Sequence, residues 1–155
     1  MGVLNVTPDS FSDGGDHATA AAAIAHGQQL WRSGADLVDV GGESTRPGAR
    51  RVDAQTESAR VVPVIEALVA AGVTCSVDTM RASVAQAAVG AGAALVNDVS
   101  GGLADPAMLD VVAHAQVPFV VSHWRGASAD MQAKAVYDDV VGEVSAELTA
   151  RLEAC

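Results

Sequence analysis

The sequence is poor in aromatic residues and in positive charge. The first shortage limits how the core can be built, and the second limits which partners the protein can bind. Aromatic residues make up 3% of the chain, although 50% of it is hydrophobic. The core must therefore be built mainly from Ala and Val, whose small side chains let helices lie close to a sheet. Nine Lys and Arg face nineteen Asp and Glu, which gives a net charge of −10. We expect no nucleic-acid partner, because phosphate backbones require a basic protein face.

Cysteines and long apolar runs are also scarce. The two cysteines, Cys75 and Cys155, cannot form a disulfide framework, which predicts a protein of the reducing cytoplasm. No apolar run reaches the roughly 18–20 residues of a membrane span, so we expect no membrane partner. An anionic substrate would have to be bound by local arginines or by a metal ion.

What the chain does have is a regular alternation of short apolar runs and Ala-rich helical stretches. Helices are predicted over residues 19–33, after Asp53, after Thr79, over residues 106–115 and from about residue 133 to the end. Buried strands joined by helices indicate βα units with a parallel sheet, in one α/β domain. Five runs are predicted as strands: Val3–Val6, Leu37–Val40, Thr74–Val77, Ala94–Val96 and Pro118–Val121.

The junctions between these elements are similar to one another. Three of the predicted helices end in glycine (Gly34, Gly72 and Gly92), which is typical of a left-handed C-cap. The segment HAQVPFVVSH fills the same place before the fifth strand without a glycine. Asp53 is a plausible N-cap of the second helix, and Pro63 either kinks that helix or begins its main part.

Polar residues follow the predicted strands. In (β/α) barrels and open α/β sheets, the carboxyl ends of the strands meet at the edge that holds the active site. Each residue could instead serve the local structure: Asp78 could cap a helix at Met80, and Asn97 or Asp98 could bond a neighbouring loop. The strand-end residues are Asn5, Asp39, Asp78, Asn97 with Asp98, and His123. Five strand ends in register favour a site at this edge.

Two loops carry most of the remaining candidate chemistry. NVTPDSFSDGG, residues 5–15, combines oxygen ligands of the type that Mg²⁺ prefers with Phe11, which could close over an aromatic ring. GGESTRPGARR, residues 41–51, holds three of the nine cationic residues and is a candidate anion site, with a flexible solvated loop as the alternative. In SVDT, the Asp78 carboxylate could accept two N–H donors from a planar heterocycle.

Four segments, NVTPDSFSDGG, DVGGESTRPGA, SVDT and VNDVSGG, resemble the dihydropteroate synthase family in their order and spacing, over about residues 2–132. The resemblance implies a (β/α)₈ barrel of the pterin-binding type. It also implies a reaction of folate biosynthesis, in which 6-hydroxymethyl-7,8-dihydropterin pyrophosphate and p-aminobenzoate give 7,8-dihydropteroate and pyrophosphate. Mg²⁺ assists in that family, and sulfonamides compete with p-aminobenzoate.

The resemblance implies roles for residues at the strand ends and in the second loop. Asn5 corresponds to the metal ligand, and Asp78 and Asn97 correspond to the pterin contacts. Thr45 corresponds to a diphosphate contact, with Arg46 beside it.

Four further residues receive roles in the same way. Phe11 and Asp13 correspond to first-loop groups that close over pyrophosphate, metal and p-aminobenzoate. Ser44 and Pro47 correspond to the lining of the p-aminobenzoate pocket. Asp13 and Arg46 are the expected catalytic residues.

The chain departs from the family in extent. Five βα units are predicted, whereas a complete barrel has eight in about 250 residues. The family's pterin-binding Asp after strand six, its Lys after strand seven, and its Arg and His near strand eight have no counterpart. We therefore expect residues 1–155 to be an incomplete pterin-binding domain without the last three βα units, and to have little activity and to aggregate when isolated. The parent enzyme is expected to be a homodimer.

Two other interpretations stay open at this point. A methyltetrahydrofolate:corrinoid methyltransferase would use the Asp78 and Asn97 positions similarly, without needing the STRPG or NVTPDSFSDGG loops. A non-catalytic pterin-binding relative should have lost loop residues such as Asp13 and Arg46, and both are present.

Overall fold

A computed structural model describes residues 1–7, 15–44, 51–127 and 131–155, with side chains in the first helix described from residue 20 onward. Five strands alternate with helices in this part of the chain. The strands are β1 Gly2–Asn5, β2 Val38–Gly41, β3 Cys75–Asp78, β4 Leu95–Asp98 and β5 Phe119–Val121. The helices are α1 Gly15–Arg32, α2 Ala54–Ala70, α3 Ala82–Gly90, α4 Met108–Ala115, α5 Met131–Lys134 and α6 Val140–Ala154.

The strands form one parallel sheet in the order β1-β2-β3-β4-β5. Each strand pairs with the next strand along the chain, which is the order of a (β/α) barrel; a doubly wound sheet reverses its order part-way. The prediction of an α/β fold with five parallel βα units of a (β/α)₈ barrel is confirmed. Observed strand ends lie within two residues of the predicted ones, because continuous apolar runs mark buried parallel strands clearly.

The core lies between the sheet and its helices. In α2 the buried side chains Val61, Val64, Ile65 and Leu68 recur at helical spacing and join the core formed by the buried strand side chains. Each such side chain contributes roughly 1.5–3 kcal/mol by leaving water. No helix in the described ranges is long and apolar enough to cross a membrane.

Helices α1, α2 and α3 end in the same hydrogen-bonded turn. Gly34, Gly72 and Gly92 have φ of 100°, 80° and 102°. After α2, the Gly72 N–H donates to the Val69 carbonyl at 2.9 Å, and the following N–H donates to Leu68 at 3.0 Å. The predicted glycine C-caps are confirmed. After α4, Gln116 adopts the left-handed conformation with φ of 54°.

The start of α2 matches one expectation and corrects another. The Asp53 carboxylate accepts a hydrogen bond from the Thr56 N–H at 2.8 Å, so the predicted N-cap is confirmed. The helix runs unbroken from Ala54 to Ala70 with Pro63 inside it, so the alternative that its main part begins at Pro63 is wrong. The Asp53 cap begins the helix nine residues before Pro63 by satisfying the Thr56 N–H.

The helix predicted from residue 133 to the end is wrong as a single element. Helix α5 ends at Lys134, and α6 begins at Val140. Asp139 caps α6 by accepting from the Gly142 N–H at 3.1 Å. Glu143 reaches back to accept from the N–H groups of Asp138 and Asp139 at 2.8 and 3.0 Å. These caps satisfy a new helix start and therefore separate the two helices.

Candidate active site

One row of register partners crosses all five strands near their carboxyl ends. Asn5 is paired with Gly41, Gly41 with Asp78, Asp78 with Asn97, and Asn97 with Val120. Side chains alternate along a strand, so this row faces away from the helix-side core. We call Asn5, Gly41, Asp78 and Asn97 the polar row. The structure thus brings together three of the residues predicted from sequence to form a site.

Gly41 leaves an open space in the middle of the polar row. A Cβ atom at this position would lie 3.4 Å from Asp78 Oδ2 and 3.6 Å from Asn5 Oδ1. The oxygens of two neighbouring strands therefore approach the same point above the backbone of β2. Because glycine has no side chain, a ligand group can approach the β2 backbone between these two oxygens.

Beneath the polar row, Asp39 and Ser76 are register partners with 3% and 0% of their surface exposed. Ser76 Oγ donates to Asp39 Oδ1 at 2.5 Å. Asn97 Nδ2 donates to Asp39 Oδ2 at 2.8 Å. Both oxygens of this buried carboxylate are therefore satisfied, and one of the bonds fixes a member of the polar row.

The environment of Asp78 favours its neutral form. Burial, followed by the charges of Asp39, Glu57, Asp98 and Glu43, raises the pKa of Asp78 to about 7. Near neutral pH, the group is therefore available both as a hydrogen-bond donor and as an acceptor. A ligand that supplies two N–H donors would favour the ionised, accepting form.

A charged network connects the residues that follow β2 and β3 with the first turn of α2. Arg81 binds Glu57 and donates to Glu43 Oε2 at 2.7 Å. Thr79 Oγ1 donates to Glu57 Oε1 at 2.6 Å, and Arg51 Nε donates to Glu43 Oε1 at 2.8 Å. The network compensates two buried carboxylates and joins the end of β3 to α2 and to the residues that follow β2. Arg51, which belongs to the predicted anion loop, is thus paired with a carboxylate of this chain.

The capping alternative for Asp78 is wrong. Helix α3 begins at Ala82, and the preceding residue, Arg81, makes no side-chain cap. The Ala82 N–H instead donates to Asp105 Oδ2 at 2.8 Å. A carboxylate from the segment before α4 therefore caps α3, and the Asp78 side chain remains on the polar row.

The other strand-end residues serve the local structure. Asp98 accepts from the Ser100 N–H at 2.7 Å and from the Gly102 N–H at 2.9 Å, which confirms that one of Asn97 and Asp98 bonds its own loop. His123 Nε2 lies 2.7 Å from Glu147 Oε2 of α6. His123 therefore joins β5 to a helix, and the structure does not place it on the polar row.

Several predicted site residues lie outside the described residues, and their roles stay predictions: Phe11, Asp13, Thr45, Arg46 and Pro47. Ser44, the last described residue before that second gap, is half-buried and follows Glu43 of the charged network.

The sequence profile of the family described as pterin binding enzyme matches residues 1–155. The chain belongs to the pterin binding enzyme family. It is 54% identical over 154 residues to the dihydropteroate synthase of Mycobacterium leprae (strain TN), covering 99% of this chain and 54% of that relative.

Solved structures agree with this membership. A dihydropteroate synthase of Xanthomonas albilineans with 4-aminobenzoic acid is 52% identical, with a TM-score of 0.90, over 99% of this chain and 54% of that one. A dihydropteroate synthase of Yersinia pestis in a sulfonamide drug complex is 44% identical, with a TM-score of 0.90, over 100% and 56%. The chain spans about half the length of these relatives.

The charged network of Glu43, Glu57 and Arg81 was not predicted from the sequence. Glu57 lies four residues before Val61, on the same buried helical face as Val64 and Leu68. A carboxylate on an apolar helical stripe must find a partner, and that signal was available in the sequence. Arg81 gave no comparable signal, because its partners Glu43 and Glu57 are 38 and 24 residues away.

Proposed function

We propose that the whole protein is a dihydropteroate synthase. It joins 6-hydroxymethyl-7,8-dihydropterin pyrophosphate to p-aminobenzoate and releases pyrophosphate and 7,8-dihydropteroate. The single observation that carries the proposal is the polar row, in which Asn5 and Asp78 flank the open space at Gly41 and Asn97 lies beside Asp78 on the next strand. Identity of 54% to a dihydropteroate synthase supports this reaction over methyl transfer to a corrinoid.

In this proposal, Asp78 and Asn97 bind the pterin. The aminopyrimidine edge of a pterin carries two parallel N–H donors, and a carboxylate accepts such a pair in a two-point contact. The half-buried position of Asp78 strengthens that contact, because little water competes for the carboxylate. Asn97 adds a neighbouring amide on the adjacent strand.

Asn5 fits the proposed role of magnesium ligand. Its Oδ1 approaches the Gly41 space from one side while Asp78 Oδ2 approaches from the other, and both are hard oxygen atoms. Among the described residues, no group of three or more His, Cys, Asp or Glu could hold a metal ion. Mg²⁺ commonly keeps few protein ligands and takes the rest from phosphate and water. A bound Mg²⁺ would stabilise negative charge on pyrophosphate.

The remaining assignments concern the two loops. Arg46 and Thr45 bind the pyrophosphate group, and Asp13 and Phe11 close over the reacting ends of the substrates. The amine of p-aminobenzoate displaces pyrophosphate at the pterin CH₂ carbon. An arginine that stabilises the departing oxygens and a closed loop that aligns the amine account for this chemistry without a covalent nucleophile.

The p-aminobenzoate pocket is proposed to include Ser44 and Pro47. Ser44 follows the end of β2 by three residues, and Pro47 comes three residues later in the sequence.

The test is p-aminobenzoate-dependent release of pyrophosphate by the protein expressed at the full length of its gene. We expect Asp78→Asn to lower kcat/KM by about 10²-fold or more, because a charge-assisted two-point contact is lost. Asp110→Asn, a matched change at an exposed helix position, should leave the rate unchanged.

Other outcomes separate the alternatives. Binding of the pterin pyrophosphate without pyrophosphate release would indicate a non-catalytic pterin-binding protein. Methyl transfer from methyltetrahydrofolate to a corrinoid would indicate the methyltransferase. Either result would overturn the synthase proposal.

A further inference from the structure

Asp39 has only neutral hydrogen-bond donors among the described residues. It is 3% exposed, and its partners are the Ser76 hydroxyl and the Asn97 amide. Glu43 and Glu57 by contrast are both bound by Arg81. A buried carboxylate without a cation is unfavourable for stability, and an apolar side chain would avoid that cost.

The bond from Asn97 determines which way the amide points. Asn97 Nδ2 donates to Asp39 Oδ2, while the other carboxylate oxygen accepts from Ser76 Oγ. The amide oxygen of Asn97 is left for another partner. Because Asn97 and Asp78 are register partners, two acceptors then lie side by side on the polar row.

We propose that Asp39 is a positioning residue that holds the Asn97 amide with its oxygen available to substrate, so that the polar row selects ligands with adjacent N–H donors. This inference rests on the proposed function. Asp39 acts from beneath the row and does not touch the ligand. Its effect is therefore confined to the pterin half of the reaction.

The test compares Asp39→Leu and Asp39→Asn in the protein expressed at the full length of its gene. Leu cannot accept from Asn97, whereas Asn can still accept with its amide oxygen while donating to Ser76 Oγ. We expect Asp39→Leu to raise the KM for 6-hydroxymethyl-7,8-dihydropterin pyrophosphate by about tenfold or more, because the amide is free to turn. The KM for p-aminobenzoate should stay within about twofold, and Asp39→Asn should restore most of the pterin affinity.

A double-mutant cycle with Asn97→Ala separates positioning from a general structural role. Asp39→Leu should cost no further pterin affinity in the Asn97→Ala background, since the group it positions is absent. Ser76→Ala is the matched control, because it removes the other hydrogen bond to the same carboxylate and leaves the Asn97 bond in place. An equal loss of affinity in both backgrounds, or an equal rise of both KM values, would overturn the inference.

A measurement on the unmutated protein covers the case in which Asp39→Leu does not fold. The side-chain amide hydrogens of Asn97 should exchange slowly with solvent in NMR spectra, and rapid exchange would contradict the inference. Wild-type protein that binds the pterin pyrophosphate but releases no pyrophosphate overturns the synthase reaction alone. Wild-type protein that does not bind it overturns both proposals.

Discussion

Buried carboxylates in the charged network around β2 have a cationic partner, whereas those at and beneath the polar row do not. Glu43 and Glu57 share the guanidinium of Arg81. Asp39 and Asp78 lie on the neighbouring strands β2 and β3 and form no ion pair with a cation among the described residues. Burial and the nearby carboxylates raise the pKa of Asp78 to about 7. The compensated pair joins elements of the fold, whereas Asp78 can be satisfied by a ligand that brings N–H donors or a cation.

The largest expected effect comes from removing the compensating charge. Arg81→Met should lower the free energy of unfolding by about 3–5 kcal/mol, because it leaves the buried Glu57 without a cation and leaves Glu43 with Arg51 alone. Urea unfolding at neutral pH measures this change. Arg32→Met is the control, since Arg32 is exposed and bonds only Gln28 in the described residues. A loss below about 1 kcal/mol at Arg81 would contradict the contrast between the two regions.

On the polar row, by contrast, a substitution is expected to increase the free energy of unfolding. The pKa of Asp78 is raised from 3.8 to about 7 in the folded protein, so its ionisation lowers stability as pH rises between these values. Asp78→Asn should therefore increase the free energy of unfolding at pH 8 by about 2–4 kcal/mol, with little difference near pH 4. Urea unfolding of both proteins at the two pH values measures the effect. The prediction fails if the gain does not depend on pH, or if Asp110→Asn produces the same gain.

Two adjacent glycines sharpen the comparison further. A Cβ at Gly42 would lie 2.8 Å from Val61 Cγ1, within the helix-side core, so Gly42→Ala should cost about 1–3 kcal/mol. At Gly41 a Cβ would meet nothing closer than 3.4 Å, so Gly41→Ala should change stability by less than about 1 kcal/mol. It should nevertheless weaken pterin pyrophosphate binding by about tenfold, because the methyl group fills the space between Asn5 and Asp78.

Thermal unfolding and isothermal titration together test both glycine variants. If Gly41→Ala were destabilising and left binding intact, the open space would be a packing feature of the sheet.

The smallest effect is expected far from the polar row. Gln116 adopts the left-handed conformation after α4, where the earlier helices have glycine. Gln116→Gly should increase stability by about 0.5–1 kcal/mol, since a side chain in this conformation is strained. Ligand affinity should not change. Gln86→Gly, inside α3, is the control of opposite sign, with a loss of about 1 kcal/mol by thermal unfolding.

The sequence predicted the strands and helix ends well because their signals are local. Apolar runs marked β1 to β5, and Gly34, Gly72 and Gly92 marked three helix ends. The polar row was predictable in part, since polar residues at the ends of parallel strands must lie at one edge. Asn97 rather than Asp98 was assigned to the site only through the family resemblance. The polar pattern alone could not choose between them, because neighbouring residues of a strand face opposite sides and the register decides.

Features that depend on distant residues could not be predicted. The Arg81 bond to Glu43 joins residues 38 positions apart, and the α3 cap by Asp105 joins residues 23 positions apart. The break between α5 and α6 is local, but it depends on Glu143 turning back to the N–H groups before its helix. Helix propensity alone does not show whether a capped new helix start is more stable than a continuous helix.

The attachment of α6 to β5 makes that end of the chain sensitive to ionic strength. No residue of α6 is buried, and the helix is held by Glu147 with His123 and Arg125, by Glu143 with Arg125, and by Arg151 with the Gly101 carbonyl. Dissolved salt screens such contacts, whereas it leaves the apolar packing of α2 intact or strengthens it. Rising salt concentration should therefore weaken the contact of α6 with the sheet. The packing of the sheet against its first helices should stay intact or become stronger, so the two regions respond to salt in opposite directions.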